Sequence, residues 1–212
     1  MKSRILLALY NYWNEVRRER LAPRRFEIEP SRIGEILPHS FILERVDAEC
    51  YRFRLAGTRL CEDLATELRG GNFLDDWSPA DRITLEGHFS IMTYQGAVGY
   101  LTMEAESEDG QSADFEILLL PLIHSPEQVD RFLGAMAPID APAWLGTRRL
   151  ERRRLLSHEL IWPEGRPHSV VERLNRQVPF LPHVRVARIV RSDRRQFRVY
   201  QGGLAGSGGD DA

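Results

Sequence analysis

Apolar residues recur every three or four positions from Ile5 through Leu9, Tyr12, Trp13 and Val16, the spacing of one face of an amphipathic helix. That spacing predicts a helix over 3–20, ended in charge by Arg17, Arg18, Glu19 and Arg20. Pro23 and Pro30 bracket a linker, because proline disfavours helix at itself and at the residue before it. From His39 the period drops to two. Phe41 and Leu43, then Tyr51, Phe53 and Leu55, alternate with polar neighbours such as Arg52 and Arg54, which predicts strands over 40–46 and 50–56 joined as a hairpin. Gly57 ends the second strand, and Thr58 is expected to cap a helix through Leu60, Cys61 and Leu64. Gly70-Gly71 breaks the chain, Asn72 to Trp77 reads as a short helical turn, and Ser78-Pro79 opens a helix over 79–94 that carries Ile83, Leu85, Phe89, Ile91 and Met92.

After Gly96 the alternation returns. Gly99, Leu101, Met103 and Ala105 interleave with Tyr100, Thr102, Glu104 and Glu106, Asp109-Gly110 is a hairpin turn, and strands follow over 112–123 and 131–138. In the fourth strand Phe115, Ile117 and Leu119 form one face. The opposite face starts polar at Asp114 and Glu116 and ends apolar at Leu118, Leu120 and Leu122. The order predicts an α+β domain with a five-stranded antiparallel sheet and short helices on one face. The second apolar face needs a cover, and the N-terminal amphipathic helix supplies it, from the same chain or from a second one. Beyond 140, Pro142 and Gly146 mark a linker, Arg148, Arg149, Arg152, Arg153 and Arg154 form a basic run, and Leu155–Trp162 is a short apolar stretch stopped by Pro163. A hairpin is expected over 184–190 and 197–200, and 202–212 reads as a flexible tail. The organisation predicted is a helix and linker over 1–38, a sheet domain over 39–140, an arginine-rich extension over 141–201 and the tail.

Charge sharpens this division. The net charge of −2 on 212 residues hides 15 basic and 24 acidic residues over 1–147, against 14 basic and 5 acidic over 148–198. The longest strongly apolar stretch, 117–123, is far short of the roughly 20 residues of a spanning helix, and the first residues have no secretory pattern. Two cysteines, Cys50 and Cys61, suit a reduced compartment and give no zinc spacing. A cytoplasmic protein without membrane association is expected.

The segments LPHSFILERVD, YRFRLAGTRLCEDLATELRGGNFLDDW and GHFSIMTYQGAVGYLTMEAESEDG, in the order β-β-helices-β-β-β, resemble a single-domain PAS subfamily common in alphaproteobacteria. The resemblance covers about residues 4–140, including Tyr12-Trp13 of the opening helix and the 33–38 segment. It implies a sensory or protein-interaction module without catalytic activity, dimeric through its N-terminal helix, with an unidentified signalling protein as partner. Leu9, Tyr12, Trp13, Leu118 and Leu120 are the dimer-interface candidates.

A small-molecule pocket, if the interior holds one, would be lined by Phe53, Leu55, Leu64, Phe73, Trp77, Phe89, Leu101, Met103, Phe115 and Ile117, with Met136 nearby; the alternative is a plain packed core. Arg59 and Cys61 stand at its mouth. Arg59 either meets a ligand or partner or pairs with a nearby acid. Cys61 lies in Arg-Leu-Cys-Glu-Asp-Leu, whereas flavin-binding PAS domains place their cysteine in an Asn-Cys-Arg-Phe-Leu-Gln type motif, so a buried inert thiol is expected. His88 sits in the helix where haem-binding PAS domains carry their proximal histidine, without further support around it. No cofactor is assigned. Glu104, Glu106 and Glu108 share one strand face and read as a solvated edge. The 148–154 arginines would suit phosphates or, as the favoured reading, form a solvated helix paired with the acidic domain. Walker, GxSxG, HExxH and dinucleotide-binding fingerprints do not occur.

Overall fold

A computed structural model describes residues 1–125, 128–166, 188–192 and 195–199. The chain divides into two compact units, Met1–Arg173 and Leu174–Ala212. The first contains helix α1 (Arg4–Arg17), three short 3-10 turns between 25 and 39, strands β1 (Ser40–Arg45) and β2 (Tyr51–Ala56), helices α2 (Thr58–Leu64) and α3 (Pro79–Gln95), and strands β3 (Val98–Ser107), β4 (Ser112–Ser125), β5 (Gln128–Pro138) and β6 (Leu150–Ile161). In the second, β7 (Arg188–Ser192) pairs antiparallel with β8 (Arg195–Val199), Val190 opposite Phe197. The expected hairpin falls there; positions 184–187 and 200 and the tail lie outside the described residues.

The six strands of the first unit form one antiparallel sheet in the order β2-β1-β5-β4-β3-β6. Phe41, Leu43, Phe132, Met136, Ile117, Phe115, Leu101 and Met103 occupy register positions on one face, against which α3 packs Leu85, Phe89 and Met92. Leu118, Leu120 and Leu122 lie on the other face, covered by α1 of the same chain. Leu6, Leu9 and Trp13 are fully buried there, and the Trp13 indole N–H donates to Pro121 O at 2.9 Å. Burying each of these side chains contributes about 2 kcal/mol. α3 is capped at its start by Ser78, whose Oγ accepts from Asp81 N. It stops at Gly96, where φ is 66° and a Cβ would lie 2.7 Å from Leu21 Cδ1, so the left-handed turn and the close approach both require glycine.

Four sequence expectations change. The sheet has six strands, not five, because the arginine run is neither a helix nor a free extension: Arg152, Arg153 and Arg154 lie in β6, which pairs along β3 with Glu104 opposite Arg154 and Glu106 opposite Arg152. The apolar stretch from Leu155 continues the same strand to Ile161. Residues 72–77 form a turn without a helix, fixed by bridges from Asn72 to Arg52 and from Trp77 to Arg153. Thr58 is the first residue of α2, the cap being Gly57 without a side-chain bond.

Leu55 also leaves the face assigned to it. Ile42 pairs with Leu55 but Leu43 pairs with Phe53, so Arg54 is an extra residue in β2. Such a bulge shifts the alternation by one. Phe53 faces the core and Leu55 the opposite face, where it is 51% exposed.

Candidate functional site

The expected interior residues converge as a packed aromatic layer between sheet and helices. Tyr51 stacks on Phe89 with ring centroids 3.8 Å apart, Phe89 meets Phe73 and Phe132 edge-on at 5.7 and 5.0 Å, and Phe41 contacts Phe53 and Phe73. Phe53, Leu64, Phe73, Trp77, Phe89, Leu101, Met103, Phe115 and Ile117 are all buried in this layer, with Met136. Leu55, Arg59 and Cys61 are not part of it. Leu55 instead lines an apolar groove of about 180 Å³ with Ile28, Ile33, Leu37, Ile42 and Leu133. Cys61 is half-buried, its Sγ 4.0 Å from Glu67 Oε1.

Arg59 lines a different cavity, polar and about 330 Å³, where five segments meet. The start of α1 supplies Lys2, Ser3 and Ile5, the turn before β1 supplies His39, α2 supplies Arg59 and Asp63, β4 supplies Glu116, and the end of β5 supplies Ala137, Pro138 and Ile139. Helical spacing sets the pair on α2: Arg59 Nε lies 3.0 Å from Asp63 Oδ1, an i,i+4 contact. Asp63 is 4% exposed. Burial pushes its carboxyl above the usual range, an effect that Arg59 and His39 only partly offset.

Glu116 is the centre of the opposite wall. Although 2% exposed, it accepts from Lys2 N at 2.9 Å, from Ser3 N at 2.7 Å, and from the Tyr100 hydroxyl. Burial alone would raise its pKa; the three donors overcome that and hold it below the ordinary value. Tyr100 moves the other way, pushed far above the ordinary phenol value by burial and then by its bond to Glu116 and that carboxylate's charge. The two amides just ahead of α1 are therefore tied to the sheet through one ionised carboxylate, while α1 itself has no side-chain cap. Sequence reasoning reached Arg59 but missed Lys2, His39, Asp63 and Glu116. The available signals were a carboxylate inside a leucine-rich strand and the chain's single lysine.

The five dimer-interface candidates, Leu9, Tyr12, Trp13, Leu118 and Leu120, are buried against one another's elements within one chain. A dimer built on them would require α1 to leave its own sheet. His88 faces β6, where its ring lies 4.7 Å from that of His158 and its Nδ1 has no hydrogen-bond partner. Burial, then the neighbouring His158, depress its pKa. A depressed histidine binds fewer protons folded than unfolded, so stability falls as pH drops below about 6.5, the unfolded value. Urea unfolding at pH 7.5 and 5.5 should show that loss, and His88→Gln should diminish it. An equal loss in the variant would remove His88 as its source.

Among the described residues no cluster of three or more His, Cys, Asp or Glu could hold a metal ion, and no helix is long and apolar enough to cross a membrane.

A single antiparallel sheet with helices on one face and an N-terminal helix sealing the other defines an α+β domain. A model of the PAS domain family matches residues 1–137, and the chain belongs to that family. PAS domains are in general sensory signalling modules and typically not catalytic. No curated protein matches the chain. Among solved structures it is similar to a variant of RsLOV (13% identity, TM-score 0.40) over 49% of this chain and 61% of that one. It is also similar to the Rhodobacter sphaeroides LOV protein (14%, TM-score 0.38) over 49% and 60%. A third is the PAS domain of an HTR-like protein from Haloarcula marismortui (21%, TM-score 0.36), over 51% and 96%. The chain thus spans about three-fifths of the length of the first two of these chains.

Proposed function

We propose that this chain is a non-catalytic, cytoplasmic PAS-type sensory module in which a ligand or a protein partner alters the packing of α1 on the sheet. The observation that carries the reading is the Glu116 clamp: the N-terminus of α1 is tied to β4 at the edge of an open polar pocket, so whatever enters the pocket meets the helix at its anchor. The rest of α1 covers apolar strand residues that a partner or a second copy would meet if the helix moved. Homodimerisation through that face is part of the proposal, and light scattering of the full chain with and without a bound effector tests it.

Glu116→Gln tests the clamp. Hydrogen bonds to a charged acceptor contribute about 2 kcal/mol, so amide exchange in the first turn of α1 should accelerate about thirtyfold. Unchanged exchange there would show that Glu116 does not hold the helix and would remove the reading.

The nucleic-acid alternative has less support. Each arginine of the 148–154 run faces a carboxylate: Arg148 with Asp109, Arg149 with Glu151 at 3.6 Å, Arg152 with Glu106 at 2.8 Å, Arg153 with Asp76 at 3.4 Å, and Arg154 with Glu104 at 3.1 Å. A phosphate backbone would have to compete with the exposed pairs, and Arg153 is buried.

A further inference from the structure

We propose that the pocket beneath the start of α1 binds a small organic carboxylate with a short apolar body. The proposal deepens the sensory reading, on which its link to α1 rests. The donors and acceptors at the pocket wall are unequally matched. Glu116 already accepts from two amides and a phenol. Asp63 is buried and holds the Nε side of Arg59 at 3.0 Å. Both carboxylates are thereby engaged.

The donors are not. Arg59 is half-exposed; among the described residues its Nη1 meets only Glu62, at a long 3.8 Å, beside the Nε contact to Asp63. The Lys2 ammonium forms no ion pair among the described residues. His39 Nδ1 is buried without a partner. Two cationic groups from separate segments, with the His39 nitrogen beside them, border one cavity whose two carboxylates are already engaged, an arrangement that an anion completes. Asp63 fixes the guanidinium from one side, which leaves its other edge oriented for a second carboxylate.

The remaining wall is apolar: Ile5, Ala137, Pro138 and Ile139. A bare inorganic anion would leave that wall in water, whereas a branched aliphatic body would cover it. The chemistry selected is therefore a carboxylate joined to a few carbons, with 3-methylbutanoate as the probe.

The test is a nitrogen-edited NMR titration of the full chain. Addition of 3-methylbutanoate should shift the amides of Ser3, His39, Asp63 and Ile139 with a Kd of about 1 mM or tighter. Lys2→Met, an exposed change that leaves the core untouched, should weaken binding about tenfold, and Arg59→Met at least as much. The neutral 3-methylbutanamide should not bind. Absence of shifts, equal binding of the amide, or unaltered affinity in Lys2→Met would overturn the proposal; binding of inorganic phosphate as tight as that of the acid would overturn its organic part. Exchange of the α1 amides separates the two readings. Charge-dependent binding with α1 unaffected keeps the site and removes the sensory mechanism. Release of α1 by Glu116→Gln with no carboxylate binding keeps the mechanism and removes this ligand.

Discussion

Gly134→Ala is expected to destabilise the domain by about 3 kcal/mol or more, the upper range of core overpacking. A Cβ at this position of β5 would lie 2.1 Å from Phe41 Cζ and 2.3 Å from its Cε2. The Phe41 ring has nowhere to retreat: it is 1% exposed and stands between Phe53, at 5.5 Å, and Phe73, at 6.1 Å. In a domain of ordinary stability, about 5–15 kcal/mol, this removes a large share. Phe41→Leu alone should cost about 1–2 kcal/mol by creating a cavity. Combined with Gly134→Ala it should recover more than about 1 kcal/mol of the alanine penalty, since the two residues compete for one space. Urea unfolding of the four chains measures the coupling. A Gly134→Ala protein within about 0.5 kcal/mol of the parent would show that the ring does not occupy this position.

The second large effect is asymmetric. Arg153 projects from β6 into the interior with its side chain 4% exposed. It lies 3.4 Å from Asp76 Oδ2, its Nη1 donates to Asp75 O at 3.4 Å, and its Nε has no partner. Asp76→Asn removes the nearer counter-charge of a buried guanidinium, leaving it only Asp75, and should cost about 3 kcal/mol. Asparagine tolerates the left-handed backbone found there, φ 66°, so the change isolates the charge. Arg153→Met removes the buried charge itself, leaves a carboxylate that is 38% exposed, and should cost less than about 1 kcal/mol. The reverse order would show that the guanidinium is a net stabilising group. The backbone bond from Arg153 N to Asp76 O, 2.7 Å, survives either change.

The parts of the fold legible in the sequence are those where period and punctuation agree. α1 and α3 show helical spacing, Asp109-Gly110 marks its hairpin, and Phe115, Ile117 and Leu119 alternate cleanly. β6 was hidden for a definite reason. Its register breaks twice against β3, between Thr102 and Met103 and between Glu106 and Ser107, so the sequence LERRRLLSHELI never holds a two-residue period for long. Its core-directed positions include Arg153 and His158 in place of aliphatic residues. The same device, one bulge residue at Arg54, sent Leu55 to the wrong face. The polar pocket was illegible because its members come from five segments spread between residues 2 and 139; no local pattern records their meeting. The charge asymmetry was visible, but its meaning emerged only with the strand pairing, which sets two basic residues of β6 directly across from two acidic residues of β3. Such exposed pairs contribute only tenths of a kcal/mol each.

β6 determines where this protein can be severed. The family match stops at residue 137 and the charge reverses at 148, and either boundary invites a shortened fragment. A chain cut there would lose its last strand, bare the backbone edge of β3 along ten residues, and strand Glu104 and Glu106 without their arginines. An unprotected edge of that length templates pairing with other chains, so the fragment should self-associate through β3, an edge that the chain carried through Ile161 keeps covered. A dimer formed by the trimmed fragment and not by the chain carried through Ile161 would report the missing strand.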